Sequence, residues 1–141
     1  MLAAVLVGSA ALAVGCRPSS GDQTSAHPAQ SQYAVVSTLD ELRFEPGVLI
    51  LHAGRPVQLS IKNPGNLEHD FVIAEMPARD VKNDMGSRHN HSMKPGIIMG
   101  DAAPKQEATI GFTPTRAGTY EFYCSQPGHR EAGMKGTLTV E

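Results

Sequence analysis

The sequence predicts an all-β fold, a β-sandwich carrying one long irregular insertion. Three observations lead there. Six-residue segments alternate apolar and polar residues, most clearly Val57-Gln58-Leu59-Ser60-Ile61-Lys62, the period-2 signature of a strand with one buried and one wet face. Turn formers are abundant, 14 Gly and 10 Pro among 141 residues, and many of them fall between these segments. Aromatic residues make up 5% and Trp is absent, a balance better suited to short strands joined by turns than to a helical bundle. The length suits one ordinary domain and is too short for two.

Taken in order, the chain opens on an uncharged apolar run, Leu2 to Val14. That is signal-peptide core length and too short to span a bilayer comfortably. It closes on Gly15-Cys16 and then turns polar. A small residue directly before Cys at the end of an apolar run resembles a bacterial lipoprotein processing site, with Cys16 the lipidated first residue of the mature chain. The run lacks a preceding Lys or Arg, and an ordinary signal cleaved elsewhere is the alternative. Residues 1–15 are thus read as a lipoprotein-type signal peptide. Residues 16–32, rich in Ser, Gln, Pro and Gly, read as a flexible tether. Residues 33–141 form the domain.

Within the domain about seven strands are expected. Tyr33-Ala34-Val35-Val36 and Val48-Leu49-Ile50-Leu51 are apolar runs of strand length. Val57 to Lys62, Ala108 to Thr113 and Gly136 to Glu141 alternate, and His69 to Ile73 and Tyr120 to Cys124 supply two more. Ala53-Gly54-Arg55-Pro56, Asn63-Pro64-Gly65-Asn66 and the stretch from Thr113 to Gly118 mark turns between them. Glu75 to Pro104 keeps no period and is read as a long loop or insertion, about residues 75–104; loops of that length are usually functional or mobile.

Several function classes are disfavoured. The net charge of -2 argues against nucleic acid as a partner, which demands a dense basic surface. Two cysteines, Cys16 and Cys124, cannot make a disulfide-dense scaffold. The sequence contains no Gly-rich phosphate loop, no Ser/His/Asp spacing and no internal repeat.

The chemistry gathers at one strand end. In Tyr120 to Met134 a strand delivers Cys124, a Pro-Gly turn follows, His129 comes five residues on, and Met134 five after that. If Phe71 and Ile73 face the core, His69 shares their face at the head of its strand. By the same count Tyr120, Phe122 and Cys124 share a face, so two strands can aim His69 and Cys124 at one point. A thiolate, two imidazoles and a thioether are a copper set: soft sulfur suits Cu(I), imidazole suits both oxidation states, and a His₂Cys plane with a weak axial Met is the blue-copper arrangement. Zinc would take a fourth strong ligand or a water instead. A binuclear copper centre would need a second thiolate, which the segment from Ser125 to His129 lacks. Each residue also has an ordinary structural use, Cys124 and Met134 as core fillers and His69 as an interior histidine. Their joint placement favours the metal.

The chain resembles the cupredoxins, the plastocyanin–azurin superfamily of type 1 blue copper proteins, most of all membrane-tethered members such as auracyanins and halocyanins. Leu42 to Ala74, with Phe44-Glu45-Pro46-Gly47 and Glu68-His69-Asp70-Phe71, carries the resemblance together with Ala108 to Val140. It implies a Greek-key β-sandwich and one mononuclear copper ion held by His69, Cys124, His129 and Met134. It further implies outer-sphere electron transfer with a redox protein donor and acceptor, and no enzymatic activity. His129 is expected nearer the surface than His69 and is the expected electron port, with Leu67, Pro127, Gly128 and Ala132 as an apolar docking patch. Asp70 stands where many relatives have Asn; it is expected either to accept a hydrogen bond from Ser125, orienting the thiolate, or to be a solvated surface residue.

The expected product is a monomeric electron carrier in an extracytoplasmic space, periplasmic or cell-surface, bound to membranes through Cys16. Two alternatives stay open. One is a copper chaperone or store using the insertion, where Met85, His89, His91, Met93 and Met99 cluster just after Met76; His89, His91 and Met93 could form a second copper site, although His-x-His is a weak motif. The other is an accessory cupredoxin serving one fixed oxidase or reductase.

Overall fold

The computed structural model describes residues 30–84 and 96–141. Among these residues ten strands form two five-stranded sheets. In chain order they are β1 (Gln32–Leu39), β2 (Arg43–Glu45), β3 (Val48–Leu51), β4 (Val57–Lys62), β5 (His69–Ile73), β6 (Ala78–Lys82), β7 (Ile98–Ala102), β8 (Glu107–Pro114), β9 (Gly118–Tyr123) and β10 (Lys135–Val140). One sheet runs β2-β1-β4-β8-β6 and the other β3-β10-β9-β5-β7. Successive strands repeatedly cross from one sheet to the other, which gives a Greek-key sandwich. The β1–β4 and β3–β10 pairs are parallel and the remaining pairs antiparallel.

The alternating segments do what their pattern dictates. Val57, Leu59 and Ile61 of β4 are buried, as are Ala108, Ile110 and Phe112 of β8, where the two strands lie side by side. Three aromatic rings pack together in the core. Phe71 and Phe122 stack with centroids 4.8 Å apart, and Phe44 meets each edge-on at 5.7 and 5.2 Å. Burying a ring of this size stabilises by about 1.5–3 kcal/mol, and each ring pair adds about 0.5–1.5 kcal/mol.

The insertion departs from the expectation of an irregular loop: Glu75 to Pro104 contributes two strands to the sheets. β6 is an edge strand paired to β8 through a bulge, and most of it is exposed, so no core requirement imposes alternation on Ala78-Arg79-Asp80-Val81-Lys82. β7 does alternate, with Ile98, Gly100 and Ala102 buried, but its middle inward residue is glycine. A Cβ at Gly100 would lie 2.5 Å from Ile61 Cδ1 and 2.9 Å from Ile110 Cγ2. Close packing therefore removed the apolar residue that would have revealed the strand. β2, only three residues long, is the third strand beyond the expected seven. Met76, grouped with the insertion's thioethers in the sequence, is a core residue at 2% exposure.

Residues 1–15, the tether as far as residue 29, Met85, His89, His91 and Met93 lie outside the described residues. Among those described, no helix is long and apolar enough to cross a membrane.

Candidate metal centre

Two neighbouring strands build the site. β5 and β9 run antiparallel with Val72 opposite Tyr123. Continued past the end of β9, this register brings Asp70 towards Ser125, which donates to its carboxylate. It also brings His69, at the head of β5, towards Cys124, just past the end of β9. The Phe71–Phe122 stack lies two residues inward on both strands and anchors this end of the pair in the core.

The segment after Cys124 folds back on itself to deliver the other residues. The His129 N–H donates to the Gln126 carbonyl and the Ala132 N–H to the Gly128 carbonyl, each at 3.0 Å. Gly133, at φ +104°, then takes a left-handed conformation that a side chain would disfavour. Met134 is tied to both neighbours: its N–H donates to the His129 carbonyl at 2.9 Å, and its carbonyl accepts from the Cys124 N–H at 3.1 Å. Within the loop, Arg130 pairs with Glu121 and lies 3.9 Å over the Tyr123 ring, pinning the loop to β9.

One ligand atom each from His69, Cys124 and His129 lies within 4.8 Å of the others. Cys124 Sγ is 3.5 Å from His129 Nδ1, and the two imidazole centroids are 5.2 Å apart. His69, Cys124 and Met134 are fully buried, whereas His129 is half-buried. Leu67 is 44% exposed, and Pro127, Gly128 and Ala132 are exposed as well.

Two carboxylates stand behind the ligand atoms. Asp70 donates its N–H to Cys124 Sγ at 3.5 Å, and its carboxylate accepts from both the N–H and the hydroxyl of Ser125. Asp40 places Oδ1 3.9 Å from His69 Nε2. The sequence reading missed Asp40. It sits in the β1–β2 turn of the opposite sheet with no motif around it, and only the way the sheets face each other brings it to His69.

The electrostatics follow from burial. Burial pushes the Cys124 thiol up from 9.0 to about 12. Burial, and then the neighbouring His129, push His69 below the usual imidazole value, with Asp40 and Asp70 opposing. A neutral imidazole is the form that binds a metal. The N–H groups of Asn66 and Leu67 hold Asp40 below the usual carboxylate range.

These residues fit a metal, and their chemistry selects copper. Among the described residues neither ring nitrogen of the buried His69 has a hydrogen-bond partner; an unsatisfied buried polar group costs about 1–3 kcal/mol, and coordination relieves this for the nitrogen that binds the metal. Thiolate, two imidazoles and a buried thioether match the blue-copper donor set. Fold and site together define a mononuclear type 1 copper protein.

Comparison with known proteins agrees. The profile of the cupredoxin-like domain matches residues 5–140, and the chain belongs to the cupredoxin family. It is 32% identical to the copper-resistant cuproprotein CopI of Rubrivivax gelatinosus over 125 residues, covering 85% of this chain and 72% of that one. It is 28% identical to auracyanin-B of Chloroflexus aurantiacus over 136 residues, covering 87% of this chain and 57% of that one. Among solved structures, auracyanin from Roseiflexus castenholzii superposes with a TM-score of 0.62 at 22% identity, covering 78% of this chain and 97% of that one.

Proposed function

We propose that this cupredoxin carries single electrons between extracytoplasmic redox proteins, with one copper ion held by His69, Cys124, His129 and Met134, and that it is not an enzyme. The observation that carries this reading is the convergence of three ligand atoms within 4.8 Å beside a fully buried methionine. Copper supplies the one-electron Cu(II)/Cu(I) couple. The chain supplies rigidity: His69 and Cys124 are set at the ends of paired strands, and His129 and Met134 are bonded to each other through the backbone. Donors that move little on oxidation and reduction keep the barrier to electron exchange small. His129, the half-buried ligand, is the route by which an electron enters and leaves, and the exposed Pro127, Gly128 and Ala132 beside it in the loop offer a partner an apolar contact.

The membrane tether is part of this proposal, through lipidation of Cys16 after the apolar run from Leu2 to Val14. The carrier acts as a monomer.

A second reading is favoured by the names of two relatives. The CopI proteins of Rubrivivax gelatinosus and, at 28% identity, Pseudomonas aeruginosa are called copper-resistant cuproproteins. On this reading the chain handles copper, with His89, His91 and Met93 as an additional site. A cupredoxin dedicated to one oxidase or reductase is a variant of the first reading.

A copper titration followed by redox titration tests the proposal. One tightly bound equivalent, an intense visible thiolate-to-Cu(II) band and a reversible one-electron couple are expected. A second tight equivalent that disappears in His89→Ala/His91→Ala would favour copper handling. Absence of a reversible couple would overturn electron transfer.

A further inference from the structure

We propose that Asp40 is a positioning residue for His69: its carboxylate keeps the imidazole proton on Nε2, leaving the Nδ1 lone pair for the metal. The inference rests on the copper reading only for what Nδ1 goes on to bind.

A carboxylate lies beside one nitrogen of the His69 ring. Asp40 Oδ1 lies 3.9 Å from His69 Nε2, too long for a direct hydrogen bond and close enough for its charge to bias where the ring carries its proton. A negative charge there favours an N–H over a lone pair facing it, and a carboxylate behind a metal-bound histidine is a recurrent way of fixing the tautomer. Asp70, a second carboxylate near the ring among the described residues, has both oxygens engaged by Ser125.

The β4–β5 loop is built to hold the Asp40 carboxylate in place. The Asn66 N–H reaches both of its oxygens at 3.0 Å, the Leu67 N–H reaches Oδ1 at 3.1 Å, and Asn66 Nδ2 reaches Oδ2 at 3.3 Å. Gly65 makes the room. A Cβ on Gly65 would lie 2.0 Å from Asp40 Oδ1 and 2.7 Å from Cγ, so no larger residue fits while the carboxylate stays.

The loop is tied in turn to the strands of the site. Buried Asn63 accepts from the Gly65 N–H and donates to the carbonyls of Leu67 and Ala102, the latter two at 2.7 Å. Ala102 is the β7 partner of His69 itself. A turn of one sheet is thereby fixed relative to a ligand in the other.

A clamp between loops would explain the hydrogen bonds without any influence on the ring. Asp40→Asn separates the two roles. Both backbone donors reach Oδ1, so an amide oxygen can keep them, but the charge is gone. Gly65→Ala is the complement: it keeps the charge and forces the carboxylate to move, at a backbone conformation that alanine accepts.

Nitrogen-15 NMR of the imidazole rings in the metal-free wild-type protein should show His69 as the Nε2–H tautomer. In Asp40→Asn the Nε2–H to Nδ1–H ratio should fall about tenfold, and Gly65→Ala should shift it in the same direction. With copper bound, Asp40→Asn should lower the Cu(II) to Cu(I) ratio at a fixed applied potential about tenfold, a rise of about 59 mV for one electron. An unchanged tautomer ratio in Asp40→Asn overturns the proposal, whether or not copper binds. A shift in Gly65→Ala alone overturns it too, because the effect is then steric. Failure of the wild-type chain to take up copper would instead overturn the copper reading, and the tautomer ratio still decides the role of Asp40.

Discussion

Ser125 donates twice to the carboxylate of Asp70, once from its N–H and once from its hydroxyl, while the Asp70 N–H is directed at Cys124 Sγ. Each residue therefore holds the other's segment, and the Cys124 sulfur is held beside the pair by the Asp70 N–H. Asp70→Asn replaces a buried carboxylate next to the Cys124 sulfur by a neutral amide and leaves one oxygen to serve both donors. The reduction potential should rise, since Cu(II) loses more stabilisation than Cu(I). Losing such an outer contact typically costs about 10–100-fold in metal affinity or activity. Voltammetry of wild type and variant checks it; equal potentials would sink the idea.

Cys124→Ser should abolish the intense visible band and leave the fold standing. The side chain fills one position in a core of some twenty buried apolar residues, and the strands supply most of the apolar burial. Absorption and circular dichroism of the copper-loaded variant separate the two effects.

Met134→Leu should retain copper and colour while raising the potential, because loss of a weak axial donor disfavours Cu(II). The exchange conserves volume and should cost under about 1.5 kcal/mol of stability. An unchanged or lower potential would argue against an axial role.

Alkali should destabilise the metal-free protein through Cys124. Its folded-state value of about 12 lies above the ordinary 9.0, so from pH 9 upward the unfolded chain releases a proton that the folded chain retains. Stability present below pH 9 is lost towards pH 12, at up to about 1.4 kcal/mol per pH unit. Urea unfolding of the metal-free wild type and Cys124→Ala across that window should show the extra slope in the wild type only.

Cys16→Ser should move the protein from membranes to the soluble fraction. Fractionation followed by immunoblotting reads this directly, and persistent attachment would point to another anchor.

The sandwich and the ligand cluster were legible because both leave local traces. Alternation in β4 and β8 reports one buried face, and the spacing of Cys124, His129 and Met134 reports a single loop. What stayed hidden depends on neighbours distant in sequence. β6 has little buried surface to impose a pattern, and Gly100 erases the pattern in β7 because Ile61 and Ile110 occupy its side-chain space. Asp40 acts across the gap between sheets, on a residue 29 positions away whose approach no periodicity encodes.

The site joins partners far apart along the chain, and this orders events in time. Asp70 and Ser125, which close it, are 55 residues apart, and the contact between them exists only after β9 has paired with β5. A loop closed over that distance forms late relative to local turns, since its entropy must be overcome before its contacts stabilise anything. Cys124, His129 and Met134 can gather early within their own loop, but His69 reaches them only when the two strands meet. Completion of the copper site is therefore a late event in the birth of the molecule, and the full ligand set marks a finished sandwich.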